Sequence, residues 1–132
     1  MDQSLLVTEQ IRAGEKFLQE FNKYAPVDVA FWLRRGDDFA ANLYVVSDQI
    51  NANNMRAANF ELLRIANVIQ DPNFDTSRIR FVSRSDRAAQ AALATINMYR
   101  SPIPFHQAGG FFGGATAEEV YIYPPLPAPA VS

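Results

Sequence analysis

His106 is the single histidine of the chain, and an imidazole titrates at about 6.5, which suits it to carrying protons at neutral pH. It stands just before Gly109-Gly110-Phe111-Phe112-Gly113-Gly114, a segment that holds four of the six glycines. General-base chemistry also needs an orienting carboxylate and a positioned nucleophile. The nearest acids are Glu118 and Glu119, which face His106 if the strands on either side of the glycine segment pair as a hairpin. No nucleophile completes the set, so no catalytic residue is assigned. A half-exposed strand position beside aromatic neighbours accounts for the histidine better.

Four arginines form the other chemical cluster. Arg78 and Arg80 share one face of a strand, while Arg84 and Arg87 flank the start of a helix. Guanidinium forks and the free amides of a helix N-terminus bind phosphate or carboxylate. Ser83 and Ser85 add hydroxyls there, although Asp86 competes for the same positive field. Salt bridges to Asp71, Asp75 or Asp86 on a solvated face are the alternative. One ligand-binding arrangement follows: a small anionic molecule fixed by His106, Arg80 and Arg84, with Phe111 and Phe112 closing over it. Neither a dinucleotide fingerprint nor a Gly-Lys-Ser/Thr phosphate loop is present, so no cofactor is expected. Asp71-Pro72-Asn73-Phe74-Asp75 lacks the central glycine and terminal glutamate of a calcium loop, and no metal site is assigned. Asx turns suit those acids better.

The paired rings of Phe111 and Phe112 must fold back on the core, meet another subunit or grip a ligand. Tyr121 and Tyr123 share one face of the last strand, and Val120 and Ile122 the other, so that strand is apolar or aromatic on both sides. With helices on one face, the second face needs cover, and a second copy of the chain supplies it. The expected interface comprises Trp32, Tyr44, Phe111, Phe112, Tyr121 and Tyr123. The function expected is therefore a non-enzymatic, self-associating homodimeric interaction domain, with a small-molecule- or anionic-ligand-binding domain, or an enzyme, whose pocket lies at the glycine hairpin 109–114 as its alternative.

These residues depend on elements that periodicity makes visible. Leu6, Ile11, Phe17, Leu18 and Phe21 recur at helical spacing from Ser4 to Tyr24, before Pro26. Val27, Val29, Phe31 and Leu33 alternate with their neighbours, Arg35-Gly36-Asp37-Asp38 breaks the run, and Phe39 to Ser47 resumes it as a hairpin. Met55, Ala58, Leu62, Ile65 and Ile69 predict a second helix after an Asn-rich cap and before Asp71-Pro72. Arg78 to Ser83 alternates as a strand. Ser83, Ser85 or Asp86 caps a third helix with the stripe Ala89, Ala92, Leu93, Ile96 and Tyr99, stopped by Pro102. Ile103–Gln107 and Val120–Tyr123 close the series, the state of 101–116 being left open between strand and coil. The order αββαβαββ predicts an α+β domain of two layers: a mixed, mostly antiparallel sheet of about five strands with three helices on one face. Residues 1–123 make the domain. Residues 124–132, with four prolines, read as an extended tail.

The run Phe17-Leu18, Val29-Ala30-Phe31-Trp32-Leu33 and Asn42-Leu43-Tyr44-Val45-Val46-Ser47 resembles small uncharacterised bacterial α+β proteins, in which a leading helix precedes an Ala-Phe-Trp-Leu hairpin. That resemblance implies the hairpin fold and brings no activity with it.

Composition bounds the rest. At 132 residues, with 48% hydrophobic residues and ten Phe, the chain supports an ordinary core. A net charge of −2 gives no basic excess for nucleic acid. No cysteine is present, which removes disulfide, zinc-ribbon and thiol chemistry. The acidic start and short apolar runs predict neither a signal peptide nor a membrane partner, and a cytoplasmic setting is expected.

Overall fold

The structure is a computed structural model that describes residues 8–99 and 102–127. Helix α1 spans Thr8–Tyr24 and buries Phe17, Leu18 and Phe21 completely; its expected first turn, residues 4–7, lies outside the described residues. Strands β1 (Val29–Arg34) and β2 (Asn42–Val46) pair antiparallel as the predicted hairpin, with Phe31 opposite Tyr44. Helix α2 (Met55–Ile69) ends on Gln70, which takes the left-handed conformation that closes a helix. A short 3₁₀ turn, Thr76–Arg78, is capped by Asp75 and leads into β3 (Ile79–Val82). Asp86 caps α3 (Arg87–Met98) by accepting from the Ala89 amide at 3.0 Å. Then come β4 (Phe105–Ala108), the two-residue strands β5 (Phe111–Phe112) and β6 (Ala115–Thr116), and β7 (Glu119–Ile122).

The α+β class and the five-stranded mixed sheet agree with the sequence reading. The order is β3-β2-β1-β7-β4, in which only β2 and β3 run parallel, and β5 with β6 makes a separate small sheet. The glycine segment is therefore a hairpin within the last connection rather than coil.

The sheet divides the core in two. Ala30, Trp32, Leu43, Val45 and Tyr123 pack under α1 and α2. Val29, Phe31, Leu33, Val46, Val120 and Ile122 pack on the other side against Ala88, Ala89 and Ala92 of α3, together with Phe112. The expectation of three helices on one face is thus corrected for α3. Its path explains why: it must travel from β3 at one edge to β4 at the other, and its alanine stripe lets it lie close over the free apolar face. The sheet is covered on both sides by the chain itself, and the face that seemed to need a second copy already has its cover. Part of the proline run also belongs to the domain, because Leu126 packs on the first core and the Pro127 carbonyl accepts from Asn22 Nδ2 at 2.9 Å. Residues 128–132 lie outside the described set.

Candidate functional site

Strand β4 forms one margin of the sheet, and its ladder with β7 decides which of its backbone groups are spent. Gln107 lies opposite Val120 and Phe105 opposite Ile122, and the series continues with the Gly109 amide donating to the Glu118 carbonyl at 2.9 Å. The amide of Tyr123 bonds the other way, to Ala30 of β1. In an antiparallel ladder these bonds alternate, so Phe105, Gln107 and Gly109 point their backbone groups at β7. His106 and Ala108 point theirs outward. Among the described residues no strand pairs with that outer side.

Past β4 the chain bends through Gly109 and Gly110, at φ 75° and 88°, and turns through Gly113 and Gly114, at φ 63° and 82°. Consecutive positive φ values at the second pair match the primed hairpin turn that glycine favours. The tip is also tight against α3: a Cβ on Gly113 would sit 2.8 Å from Ala88 Cα. Arg35 holds the hairpin from below, its Nη1 donating to the carbonyls of Phe112 at 3.1 Å and Thr116 at 3.0 Å. Gln107 Nε2 donates to the carbonyls of Gly109 and Phe111. The two phenylalanines separate in consequence. Phe112 is buried, edge-on to Phe31 at 5.7 Å. Phe111 is 73% exposed.

His106 lies on the side of the sheet that carries Tyr121, and its Nε2 is 2.9 Å from Glu119 Oε2. Of the two acids that the hairpin pattern offered, Glu119 faces the imidazole and is itself buried, whereas Glu118 is exposed and its amide bonds the Arg34 carbonyl. The contact with this buried carboxylate fixes the tilt of the ring. Tyr121, beside them, has its hydroxyl pKa raised by burial and then by Glu15.

The other residues singled out from the sequence are not gathered here. Arg80 sits on β3, at the opposite margin, where it donates to the Ser77 carbonyl at 2.8 Å. Arg84 pairs with Asp28 at 3.1 Å. Four strand spacings, about 19 Å in all, separate β3 from β4, and Phe112 lies on the face away from His106. The anionic pocket expected from His106, Arg80, Arg84, Phe111 and Phe112 is therefore not assembled. Of the residues expected at an interface, Trp32 and Tyr123 are buried and bonded to each other, Trp32 Nε1 donating to Tyr123 Oη at 2.9 Å. The Tyr123 hydroxyl in turn donates to the Ile11 carbonyl at 2.6 Å, and its burial pushes its pKa far up. Tyr44 stacks on Phe31 at 5.1 Å, and burial raises its pKa. Of the six, Phe111 is exposed, Tyr44 and Tyr121 are half-buried, and Trp32, Phe112 and Tyr123 are buried. Among the described residues no three His, Asp or Glu side chains converge as cation ligands.

Sequence reasoning missed Arg35, because its partners lie 77 and 81 residues away. It also missed a cleft at the far end of β4, between Tyr99 and Pro125. Fold and site together define a small α+β domain whose mixed sheet is covered on both faces and, among the described residues, open along β4. No family model, no curated protein and no solved structure matches the chain.

Proposed function

We propose that this chain is a non-enzymatic domain that self-associates as a two-fold dimer, β4 of one copy pairing antiparallel with β4 of the other. The observation that carries the reading is the contrast between the two margins of the sheet. At β3, Arg80 lies within the strand and Arg78 and Arg84 bracket it, and charged side chains of this kind keep an edge from pairing. At β4 the sequence Phe105-His106-Gln107-Ala108 contains no lysine, arginine or acid. The outward amides and carbonyls of His106 and Ala108 meet no described strand. Exposed apolar side chains flank this strand in the sequence, Ile103 before it and Phe111 after it. An isologous pairing satisfies the outward backbone groups in both copies at once and covers those side chains.

The test is mass in solution at micromolar concentration, by light scattering coupled to size separation. The wild-type chain is expected at twice its 14.8 kDa. Ala108→Pro removes an outward amide without touching the ladder to β7, and is expected to give a monomer of unchanged urea stability. Phe111→Ser, a milder change, is expected to weaken the dimer without dissolving it. A wild-type monomer up to 100 µM, or a dimer that both variants leave intact, overturns the proposal.

A further inference from the structure

Where α3 ends, its last turn, the lead-in to β4 and the proline run after β7 enclose a cleft of about 250 Å³. Ile96 and Tyr99 come from the helix side, Ile103 and Phe105 from the strand side, and Pro124 and Pro125 from the closing run. The Tyr99 and Phe105 rings lie 6.2 Å apart and nearly parallel, at 20°.

The chemistry of the walls defines the ligand. Among the described residues no lining side chain carries a charge, and an ion entering the cleft would lose hydration to these apolar walls. Of the three lining hydroxyls, that of Tyr99 belongs to an exposed residue, and those of Thr95 and Tyr123 are already committed within the protein. Thr95 Oγ1 donates to the Ala91 carbonyl at 2.8 Å, and Tyr123 Oη donates to Ile11 and accepts from Trp32. Neither calls for a polar group on a guest. Pro104, Pro124 and Pro125 fix their own φ angles, which holds the walls apart instead of letting them collapse. Size sets the remaining limit. An apolar cavity of about 150 Å³ stays dry and takes up benzene, so a space of about 250 Å³ suits two fused rings.

We propose that this cleft is a binding site for a small neutral bicyclic aromatic molecule of the size of indole or naphthalene. The site adjoins the β4 edge and has Ile103 in common with it, but its other walls, among them Ile96, Tyr99 and Phe105, take no part in the edge pairing, and the outward backbone groups of His106 and Ala108 take no part in the cleft.

Indole is the probe, titrated into the full chain and followed by the isoleucine methyl resonances. Saturable shifts are expected at Ile96, Ile103 and Ile122, with none at Ile65 or Ile79, which pack in the core under α1 and α2. Ile96→Trp fills the cleft with a ring system of its own and is expected to weaken indole binding at least tenfold. Thr95→Leu, a smaller filling change, is expected to weaken it severalfold in case the first variant folds poorly. Ala108→Pro, which lies far from the cleft, is expected to bind indole as the wild type does, even as a monomer. N-acetyltryptophanamide carries the same rings on a peptide unit and is expected to bind at least tenfold more weakly. Equal binding of the two would replace a free small molecule with an inserted side chain of a partner and overturn the proposal. Absence of saturable shifts up to millimolar indole overturns it too, as does binding that neither filling variant weakens.

Discussion

Gly113→Ala tests whether the glycine hairpin is part of the folded core or a flap lying loosely over it. Gly113 holds φ at 63°, and an added Cβ would come 2.8 Å from Ala88 Cα and 2.9 Å from Ala88 N. Both contacts are backbone atoms of the first turn of α3, which cannot rotate away. A left-handed alanine costs about 1–2 kcal/mol, and forcing an extra methyl into a packed contact costs about 1–3 kcal/mol more. The expected loss is about 2–5 kcal/mol. Gly109→Ala is the control, because Gly109 has φ 75° but nothing within 4 Å of the added carbon. It carries the conformational cost alone, about 1–2 kcal/mol. Urea unfolding followed through Trp32, the single tryptophan, measures both. By heat, the gap between the variants should appear as several degrees, since about 130 residues give roughly 4 °C per kcal/mol. Equal losses at the two glycines would refute the reasoning, because they would mean that the tip does not bear on α3.

Two further outcomes follow from polar contacts. Tyr123→Phe strands the Trp32 indole N–H in the interior and removes a bond to the Ile11 carbonyl, so a loss of about 1–3 kcal/mol is expected by the same urea assay. An unchanged midpoint would mean that neither group depends on that hydroxyl. Acid should also weaken the domain through Asp71 and Asp75. The Asn73 amide first, then Lys16, holds the Asp71 carboxyl below its ordinary range, and Ser77 does the same for Asp75. A carboxyl lowered by folding stabilises above its unfolded pKa, about 3.9, and that contribution fades as pH falls through the folded value. Stability should therefore drop below about pH 4, and Asp71→Asn with Asp75→Asn should flatten that slope; an unchanged slope in the double variant would count against these contacts.

How much of this was legible depends on how far apart the interacting residues lie in the chain. The helical spacing of Phe17, Leu18 and Phe21 and the alternation from Val29 to Leu33 are local signals, and both elements formed where those signals put them. The pairing of His106 with an acid was legible as well, since two strands flanking one hairpin bring 106 beside 121 and leave Glu119 two residues along on the same face. The side on which α3 packs was not. A helical stripe says that one face is buried but not against which layer, and that is settled by the route from one margin of the sheet to the other. The anionic pocket failed for the same reason. Arg80 and His106 each sit on a correctly read strand, yet the strand order, which no local pattern encodes, sets them at opposite margins. Arg35 gave no signal at all, being one charged residue in a polar loop whose partners are remote carbonyls.

The strand order has a consequence for how the molecule comes into being. β7 occupies the interior of the sheet, between β1 and β4, although it is the last of the described strands to be synthesised. Until the ribosome has delivered it, β1 lacks a neighbour on one side and β4 has nowhere to dock. The half-made sheet must wait with a gap in its middle, greasy and open to wrong partners. Closure by so distant a segment also makes for slow folding. The nascent chain is thus at its most vulnerable just before β7 emerges, and a chaperone that shields the gap until then would protect its yield.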